Sequence, residues 1–176
     1  MTKTPLFCCM WVYLALLLAL EASAQEGTGQ KLGSVTNLPI PRFVSLKANE
    51  VNSRVGPGGE YQIAWVFRRA GLPVEVLDEF EGWRRVRDSE GGTGWVSSVL
   101  LSARRTAVVA PWVKVRSLFP LSSSRGGSSI VAQVEPGAIV DIAECDGEAC
   151  QVYVGEQQGW IVQKNLWGVY PGEKVK

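Results

Sequence analysis

Hydrophobic and polar residues alternate in short runs along most of the chain, from residue 42 onward, and glycines separate the runs. Because successive side chains of a strand point to opposite faces, a period of two is typical of half-buried β-strands. No stretch places hydrophobic residues at every third or fourth position over the length of a helix. The pattern therefore predicts an all-β protein built of short strands.

The amino terminus departs from this pattern. Residues 6–20 are hydrophobic without interruption, Lys3 precedes them, and Ala22 and Ala24 follow in the spacing that signal peptidase recognises. A transmembrane anchor needs about 20 apolar residues, so this shorter run favours a cleaved signal peptide over an uncleaved anchor. We expect cleavage after Ala24, which makes residues 1–24 the signal peptide. The mature protein, without a membrane span, is then expected in the periplasm or secreted.

The rest of the chain contains an internal repeat. Each copy has a glycine turn, a strand rich in β-branched residues, a second strand, and a Gly-Trp-aliphatic run followed by a leucine. The aligned segments are 70–79 with 136–145, 84–87 with 150–153, and 94–102 with 159–167. Upstream, Arg54 is aligned with Arg116, which leaves residues 121–129 as an insertion in a loop of copy two. The predicted segments are a flexible lead-in, two mini-domains and a tail: 25–41, 42–104, 105–170 and 171–176.

A unit of this size, made only of short strands, closes most economically as a small barrel, because closure removes exposed strand edges. Copy one also resembles the bacterial SH3-like (SH3b) domain family over residues 51–102. The motifs that carry the resemblance are Asn52-x-Arg54, Gly56-Pro57-Gly58, Gly71-x-x-Val74-x-Val76, Trp83-x-x-Val86 and Gly94-Trp95-Val96. Copy two is similar but diverged. The resemblance implies two tandem small SH3-like β-barrels that serve as a wall-binding or protein-binding module.

Several kinds of chemistry are excluded by what the sequence lacks. The glycine-rich segment 56–59 has no following lysine and leads into a strand-like segment, so it is not a phosphate-binding loop at a helix start. The chain has no histidine, which excludes Ser-His and Cys-His dyads. Its carboxylates, Glu79 among them, cluster at predicted turns. With 18 basic and 17 acidic residues, it lacks the charge of a nucleic-acid binder. We therefore expect a non-catalytic protein without a cofactor, a metal or a nucleic-acid partner.

One face of copy one predicts a ligand-binding groove. Val86 is expected to point into the barrel, so Arg85 and Arg87 on either side of it point outward. Trp83 and Trp95 share that outward face by the same alternation. Aromatic faces and guanidinium groups suit a peptide-like ligand with a carboxylate, which predicts peptidoglycan or a segment of an envelope protein as the partner.

The glycine-rich loop adds two candidates. Tyr61 could lie near Trp83 and Trp95 and complete a shallow aromatic groove. Arg54 either contacts the ligand or braces the loop through Glu60 or through backbone carbonyls. The alternatives for the tryptophans are that they cap a small core, or that a bulge reverses the alternation. The candidate ligand-binding residues are Arg54, Tyr61, Trp83, Arg85, Arg87 and Trp95.

Copy two lacks most of this set. The positions aligned with Trp83, Arg85 and Arg87 hold Ala149, Gln151 and Tyr153. Copy two instead has Cys145 and Cys150 around an Asp146-Gly147 turn, which favours a disulfide across a hairpin. Two thiolates of a metal site are the alternative, although zinc prefers four ligands. Copy two is thus expected to support copy one.

For the whole protein, the alternative is a structural or assembly role without a ligand groove.

Overall fold

The computed structural model of the chain describes residues 30–176, and the predicted signal peptide with its cleavage site lies outside the described residues. Residues 30–176 form fifteen strands and two short 3-10 turns, Ser98–Leu100 and Gln163–Asn165. None of their helical segments is long and apolar enough to cross a membrane. The predicted all-β fold is confirmed.

The first seven strands form one antiparallel sheet, which we call barrel 1. They are β1 (Arg42–Leu46), β2 (Val51–Arg54), β3 (Ile63–Phe67), β4 (Pro73–Phe80), β5 (Trp83–Arg87), β6 (Thr93–Ser97) and β7 (Leu101–Ser102). Their order across the sheet is β3-β2-β6-β5-β4-β1-β7. The sheet curls around a core whose fully buried members include Val51, Val74, Val76, Val86 and Val96.

The remaining strands form a second sheet, barrel 2. They are β8 (Thr106–Val109), β9 (Phe119–Ser122), β10 (Ile130–Val134), β11 (Ile139–Asp146), β12 (Ala149–Val154), β13 (Gln157–Val162), β14 (Leu166–Trp167) and β15 (Lys174–Val175). The order is β10-β9-β13-β12-β11-β8-β14, with β15 paired to β11. Apart from β15, this repeats the order of barrel 1 strand for strand, which confirms the predicted repeat.

Both sheets bend at equivalent places. The register shifts between Val76 and Asp78 in β4 and between Ile142 and Glu144 in β11. A bulge increases the local twist of a strand, so each long strand can wrap around a small core. The two copies therefore share their irregularities as well as their strands.

The strand register corrects the alignment of the two copies at their first long loop. Arg54 lies opposite Trp95 in barrel 1, and Ser122 lies opposite Trp160 in barrel 2. Ser122 is therefore the structural counterpart of Arg54. Arg116 lies instead in the connection between β8 and β9. Matching the two arginines was wrong, because similar residue types outside the strands do not define the register.

The predicted insertion is corrected for the same reason. Residues 121–129 comprise the end of β9 and the loop before β10, which corresponds to the glycine-rich loop between β2 and β3. The extra length of copy two lies in residues 110–118, between β8 and β9, where barrel 1 has only a short connection.

The lead-in, predicted to be flexible, is packed against barrel 1 over residues 31–41. The carboxylate of Glu79 accepts hydrogen bonds from the Thr36 hydroxyl at 2.7 Å and from the backbone N–H groups of Thr36 and Val35 at 2.8 and 3.0 Å. Arg42 adds an ion pair at 2.8 Å. Burial alone would raise the pKa of Glu79, but the hydrogen bonds from Thr36, Arg42 and Val35 lower it to about 2. Glu79 is thus a buried anchor, not a solvated turn residue.

The carboxyl-terminal residues 171–176, predicted as a tail, belong to barrel 2. β15 extends the sheet beside β11. Glu173 accepts hydrogen bonds from Arg105 at 2.8 and 3.1 Å and from the backbone N–H of Tyr170 at 2.8 Å. Gln163 donates from its amide to the Tyr170 carbonyl at 2.7 Å. These contacts fix the segment that follows β14.

The predicted disulfide is confirmed. Cys145 and Cys150 lie directly opposite each other on β11 and β12, with Cα atoms 4.1 Å apart, and their sulfurs are bonded. In the connecting turn, the Asp146 carboxylate accepts the backbone N–H of Glu148 at 2.8 Å. Gly147 has a φ of 105°, which side-chain-bearing residues rarely adopt. Because the two sulfurs are bonded to each other, they are not available as the thiolate ligands of a metal site.

The two barrels are joined by a polar and aromatic contact. The Tyr170 hydroxyl donates to Glu75 at 2.9 Å, across from barrel 2 to barrel 1. The ring of Phe43 lies edge-on to Trp167 with centroids 5.3 Å apart, and 4.8 Å from the ring of Tyr170. Arg87 lies over the Trp167 ring at 5.9 Å.

Candidate binding site

Cross-strand pairing places a row of residues across the outer face of barrel 1. Trp95 of β6 lies opposite Arg54 of β2 on one side and opposite Arg85 of β5 on the other. Ile63 and Asp78 extend the row at its two ends. Directly opposed residues in antiparallel strands project from the same face. We call Arg54, Trp95 and Arg85 the Arg-Trp-Arg row.

Burial along the strands agrees with the alternation expected around Val86. In β5 the buried residues are Arg84 and Val86, and the more exposed ones are Trp83, Arg85 and Arg87. In β6, the half-buried Trp95 lies between buried Gly94 and Val96. The bulge of β4 does not reverse this alternation, so Trp95 belongs to the outer face and not to the core.

The Arg-Trp-Arg row lines a shallow pocket of about 220 Å³, together with Thr93 and Ala64. Among residues 30–176, no acidic side chain lies on its wall. Arg85 is exposed and forms no ion pair with any residue between 30 and 176. Arg54 donates from Nη1 to the Tyr61 carbonyl at 2.5 Å, which uses one of its five N–H donors. Arg54 thus braces the loop through a carbonyl and also lines the pocket.

Tyr61 has a structural role at the base of the glycine-rich loop. A Cβ atom on Gly56 would collide with the Tyr61 ring, so the ring lies directly against the backbone of the loop. Tyr61 remains 41% exposed. Within residues 30–176, the aromatic rings that contact each other are those of Phe43 with Trp167 and Tyr170. Tyr61 therefore does not stack on Trp83 or Trp95, as the predicted aromatic groove would require.

Trp83 and Arg87 lie away from the pocket. Trp83 is opposite Phe80 and Ser97, at the far end of β5 from Arg87. Arg87 pairs with Glu75 at 2.5 and 2.8 Å and faces barrel 2. Arg87 therefore lies at the interface of the barrels and not beside Arg85 in the pocket, because the curl of the sheet turns this end of β5 toward the second barrel.

A cleft between the two barrels was not predicted from the sequence. Its volume is about 600 Å³, and its aromatic lining residues are Phe43, Trp112, Trp167 and Tyr170. Trp112, Trp167 and Tyr170 have no aromatic counterpart in copy one, and this difference between the copies could have pointed to an aromatic site in copy two. The cleft could not be located from the repeat alone, since it depends on how the barrels pack.

A bacterial SH3 domain family matches the chain in two segments, residues 47–103 and 122–168. The chain therefore belongs to the bacterial SH3 domain family, and the predicted fold of two tandem SH3-like barrels is confirmed. Membership makes the chain a bacterial binding module, of a kind that is typically non-catalytic. No curated protein matches the chain.

Three solved structures are distantly similar. NlpC2 from Trichomonas vaginalis is 18% identical, with 72% of this chain and 48% of that chain covered and a TM-score of 0.32. NlpC1 from Trichomonas vaginalis is 18% identical, with 77% and 48% covered and a TM-score of 0.31. An NlpC/P60 family protein from Bacillus cereus is 11% identical, with 71% and 55% covered and a TM-score of 0.32. The chain spans about half the length of these proteins, and likeness at this level says nothing about function.

Proposed function

We propose that the protein is a non-catalytic binding module of the bacterial envelope, and that the Arg-Trp-Arg row binds a carboxylate-bearing peptide, the stem peptide of peptidoglycan. The observation that carries this proposal is the pocket of barrel 1, in which Arg54 and Arg85 flank the half-buried Trp95. In the part of the chain that the structure describes, no acidic side chain lines this pocket.

The chemistry of the row matches such a ligand. A guanidinium group can form two parallel hydrogen bonds with a carboxylate, which gives both strength and orientation. Arg85 has no competing ion pair between residues 30 and 176. The face of Trp95 offers contact area at a low cost in side-chain entropy. Because the arginines are near the surface, binding should weaken as the salt concentration rises.

Two features support an envelope location. The amino-terminal sequence predicts export and cleavage after Ala24. The disulfide between Cys145 and Cys150 is stable in an oxidising compartment and rare in the cytosol. Together they favour the periplasm or secretion, where peptidoglycan is accessible.

The proposal is tested by giving barrel 1 the residues that barrel 2 has at the same positions. Arg54→Ser with Arg85→Gln removes both guanidinium groups and retains Trp95. Since hydrogen bonds to charged groups contribute about 1.5–3 kcal/mol each, retention on purified peptidoglycan should fall at least about tenfold. Arg68→Gln is the control for the loss of an exposed arginine, because Arg68 lies in barrel 1 outside the row.

Two results would contradict the proposal. If the wild-type protein is not retained on peptidoglycan, the ligand is wrong. If the double variant is retained as well as Arg68→Gln, the site is wrong.

A structural or assembly role remains the second candidate, and one observation favours it. Ile63 and Trp65 of the edge strand β3 are 48% and 61% exposed. An edge strand with exposed hydrophobic residues can pair with a strand of another protein. Envelope proteins that co-purify with the wild type but not with Trp65→Ser, without any retention on peptidoglycan, would favour this role.

A further inference from the structure

Barrel 2 repeats the geometry of the Arg-Trp-Arg row with different residues. Trp160 of β13 lies opposite Ser122 of β9 and Gln151 of β12, so it occupies the position that Trp95 has in barrel 1. Trp160 is half-buried, as Trp95 is. Neither neighbour of Trp160 in this row is a cation. Copy two was expected to be only a support because it has Ala149, Gln151 and Tyr153 in place of Trp83, Arg85 and Arg87.

Basic residues from other parts of the chain line the same pocket as Trp160. A pocket of about 690 Å³ beside Trp160 is lined by Arg125, Lys174 and Lys176. Arg125 belongs to the loop between β9 and β10, and Lys174 belongs to β15, a strand that has no counterpart in barrel 1. Barrel 2 therefore combines an outer tryptophan with basic residues, although none of them occupies the position of an arginine in barrel 1.

The hairpin that carries the disulfide contacts two of these cations, Arg125 and Lys174. Asp146 forms an ion pair with Arg125 and lies opposite Lys174 in the pairing of β11 with β15. The backbone N–H of Ala149 and the side chain of Arg125 donate hydrogen bonds that hold the pKa of Asp146 well below its usual range, so the ion pair stays charged. Cys145, next to Asp146, is tied by the disulfide. The hairpin thus provides a fixed support for β15.

We propose that Trp160, Lys174 and Lys176 form a second binding site for a carboxylate-bearing peptide, so that one chain binds two ligands. The ligand class rests on the function proposed for barrel 1. Lys174 and Lys176 form no ion pair within residues 30–176, so both are available to a ligand carboxylate. Glu144 also lines this pocket, and it forms no ion pair with any described residue. The second site therefore favours a peptide with an ammonium group near its carboxylate, such as one that contains a diamino acid.

Two sites on one chain change how the protein binds a polymer. Peptidoglycan presents many stem peptides on one network, so binding at the first site raises the effective concentration of ligand at the second. Linked sites can exceed the affinity of either one by about 10²–10⁴. Loss of either site should therefore reduce retention on intact peptidoglycan much more than it reduces binding of a soluble fragment.

The number of sites is measured by isothermal titration calorimetry with a soluble disaccharide-peptide fragment released from peptidoglycan. We expect two fragments per wild-type chain, one for Lys174→Gln with Lys176→Gln, and one for Arg54→Ser with Arg85→Gln. Combining the four substitutions should abolish binding. Lys47→Gln with Lys164→Gln is the matched control, since it removes the same charge from exposed lysines outside the pocket and should retain two sites. Tryptophan fluorescence and the thermal unfolding midpoint check that every variant is folded.

The possible results separate the two proposals. One fragment per wild-type chain, lost in Arg54→Ser with Arg85→Gln, would overturn the second site and leave the function of barrel 1 intact. One fragment that is lost only with the lysine substitutions would support the second site and overturn the first. No binding of the fragment by folded wild-type protein would overturn both.

Discussion

At the scale of single residues, Glu79 shows how a charged group becomes structural. Its side chain has no exposed surface, and it pairs with Arg42 at 2.8 Å and with Arg84 at 3.4 Å. It also accepts the hydrogen bonds of Thr36. A buried carboxylate is tolerated only when such partners replace water. Glu79 therefore ties the lead-in to barrel 1.

Replacing Glu79 with glutamine should destabilise barrel 1. The substitution leaves Arg42 and Arg84 without their anionic partner, and breaking a buried ion pair costs about 3 kcal/mol. The measurement is urea unfolding at neutral pH. Because the folded pKa of Glu79 is lowered from 4.5 to about 2, its contribution is complete above about pH 4.5 and is lost as the pH falls toward 2. The stabilities of the wild type and the variant should therefore converge in that range.

Glu50→Gln is the control for this prediction. Glu50 pairs with Arg68 at 3.7 Å, with both side chains more than two-thirds exposed, and exposed pairs contribute at most about 1 kcal/mol. A loss for Glu79→Gln that is no larger than the loss for Glu50→Gln would contradict the role assigned to Glu79.

At the scale of elements, the segment from Gly168 to β15 is fixed by specific contacts, although its sequence shows no alternation of hydrophobic and polar residues. Arg105 holds it through two hydrogen bonds to Glu173, at 2.8 and 3.1 Å. Gly168 allows it to leave β14 against the backbone of β8: its φ is 129°, and a Cβ there would lie 2.8 Å from the Ala107 Cα. This segment carries Tyr170 to barrel 1 and β15 to the second pocket.

Gly168→Ala should therefore disturb the segment as a unit. The added methyl group would meet backbone atoms that cannot move aside, and the φ is unfavourable for alanine, so we expect a loss of about 1–3 kcal/mol in the free energy of unfolding. Hydrogen exchange should show less protection of the β15 amides. Gly82→Ala is the matched control, because a Cβ on Gly82 meets no atom within 4 Å; equal effects of the two substitutions would argue against a tight fit at Gly168.

At the scale of the whole molecule, the contact between Tyr170 and Glu75 is one of those that join the two barrels. Glu75 is only 2% exposed and also pairs with Arg87, so the Tyr170 hydroxyl helps to satisfy a buried charge. A fixed arrangement matters for the proposed function, because the spacing of the two proposed ligand sites decides whether both can engage one polymer.

Tyr170→Phe should weaken the coupling between the barrels. It removes one hydrogen bond to a charged group, which contributes about 1.5–3 kcal/mol, and urea unfolding should become less cooperative. Burial and the hydrogen bond to Glu75 raise the pKa of Tyr170, so its contribution is complete below the ordinary phenol value of about 10 and is lost at higher pH. The difference between the wild type and Tyr170→Phe should therefore shrink above about pH 10. Tyr153→Phe, on an exposed tyrosine of the same barrel, should leave cooperativity unchanged; if it lowers cooperativity as much, the contact with Glu75 is not the cause.

The sequence by itself determined the features that depend on near neighbours. Alternation identified the strands and the outward direction of Arg85 and Trp95, and the short spacing of the two cysteines identified the disulfide. These follow from local geometry, in which residues a few positions apart decide which face a side chain takes. The internal repeat predicted the duplication, and the removal of exposed strand edges together with the family resemblance predicted the barrel.

Only the tertiary structure decided which distant residues meet. Arg87 serves the barrel interface and not the pocket, Ser122 is the true counterpart of Arg54, and Lys174 lies beside Trp160. Each of these depends on strand register, on a bulge or on how the chain returns to the sheet after a long connection. The physical reason is that such contacts join residues far apart in the chain, whose pairing is selected by the packing of the whole core and leaves no local pattern in the sequence.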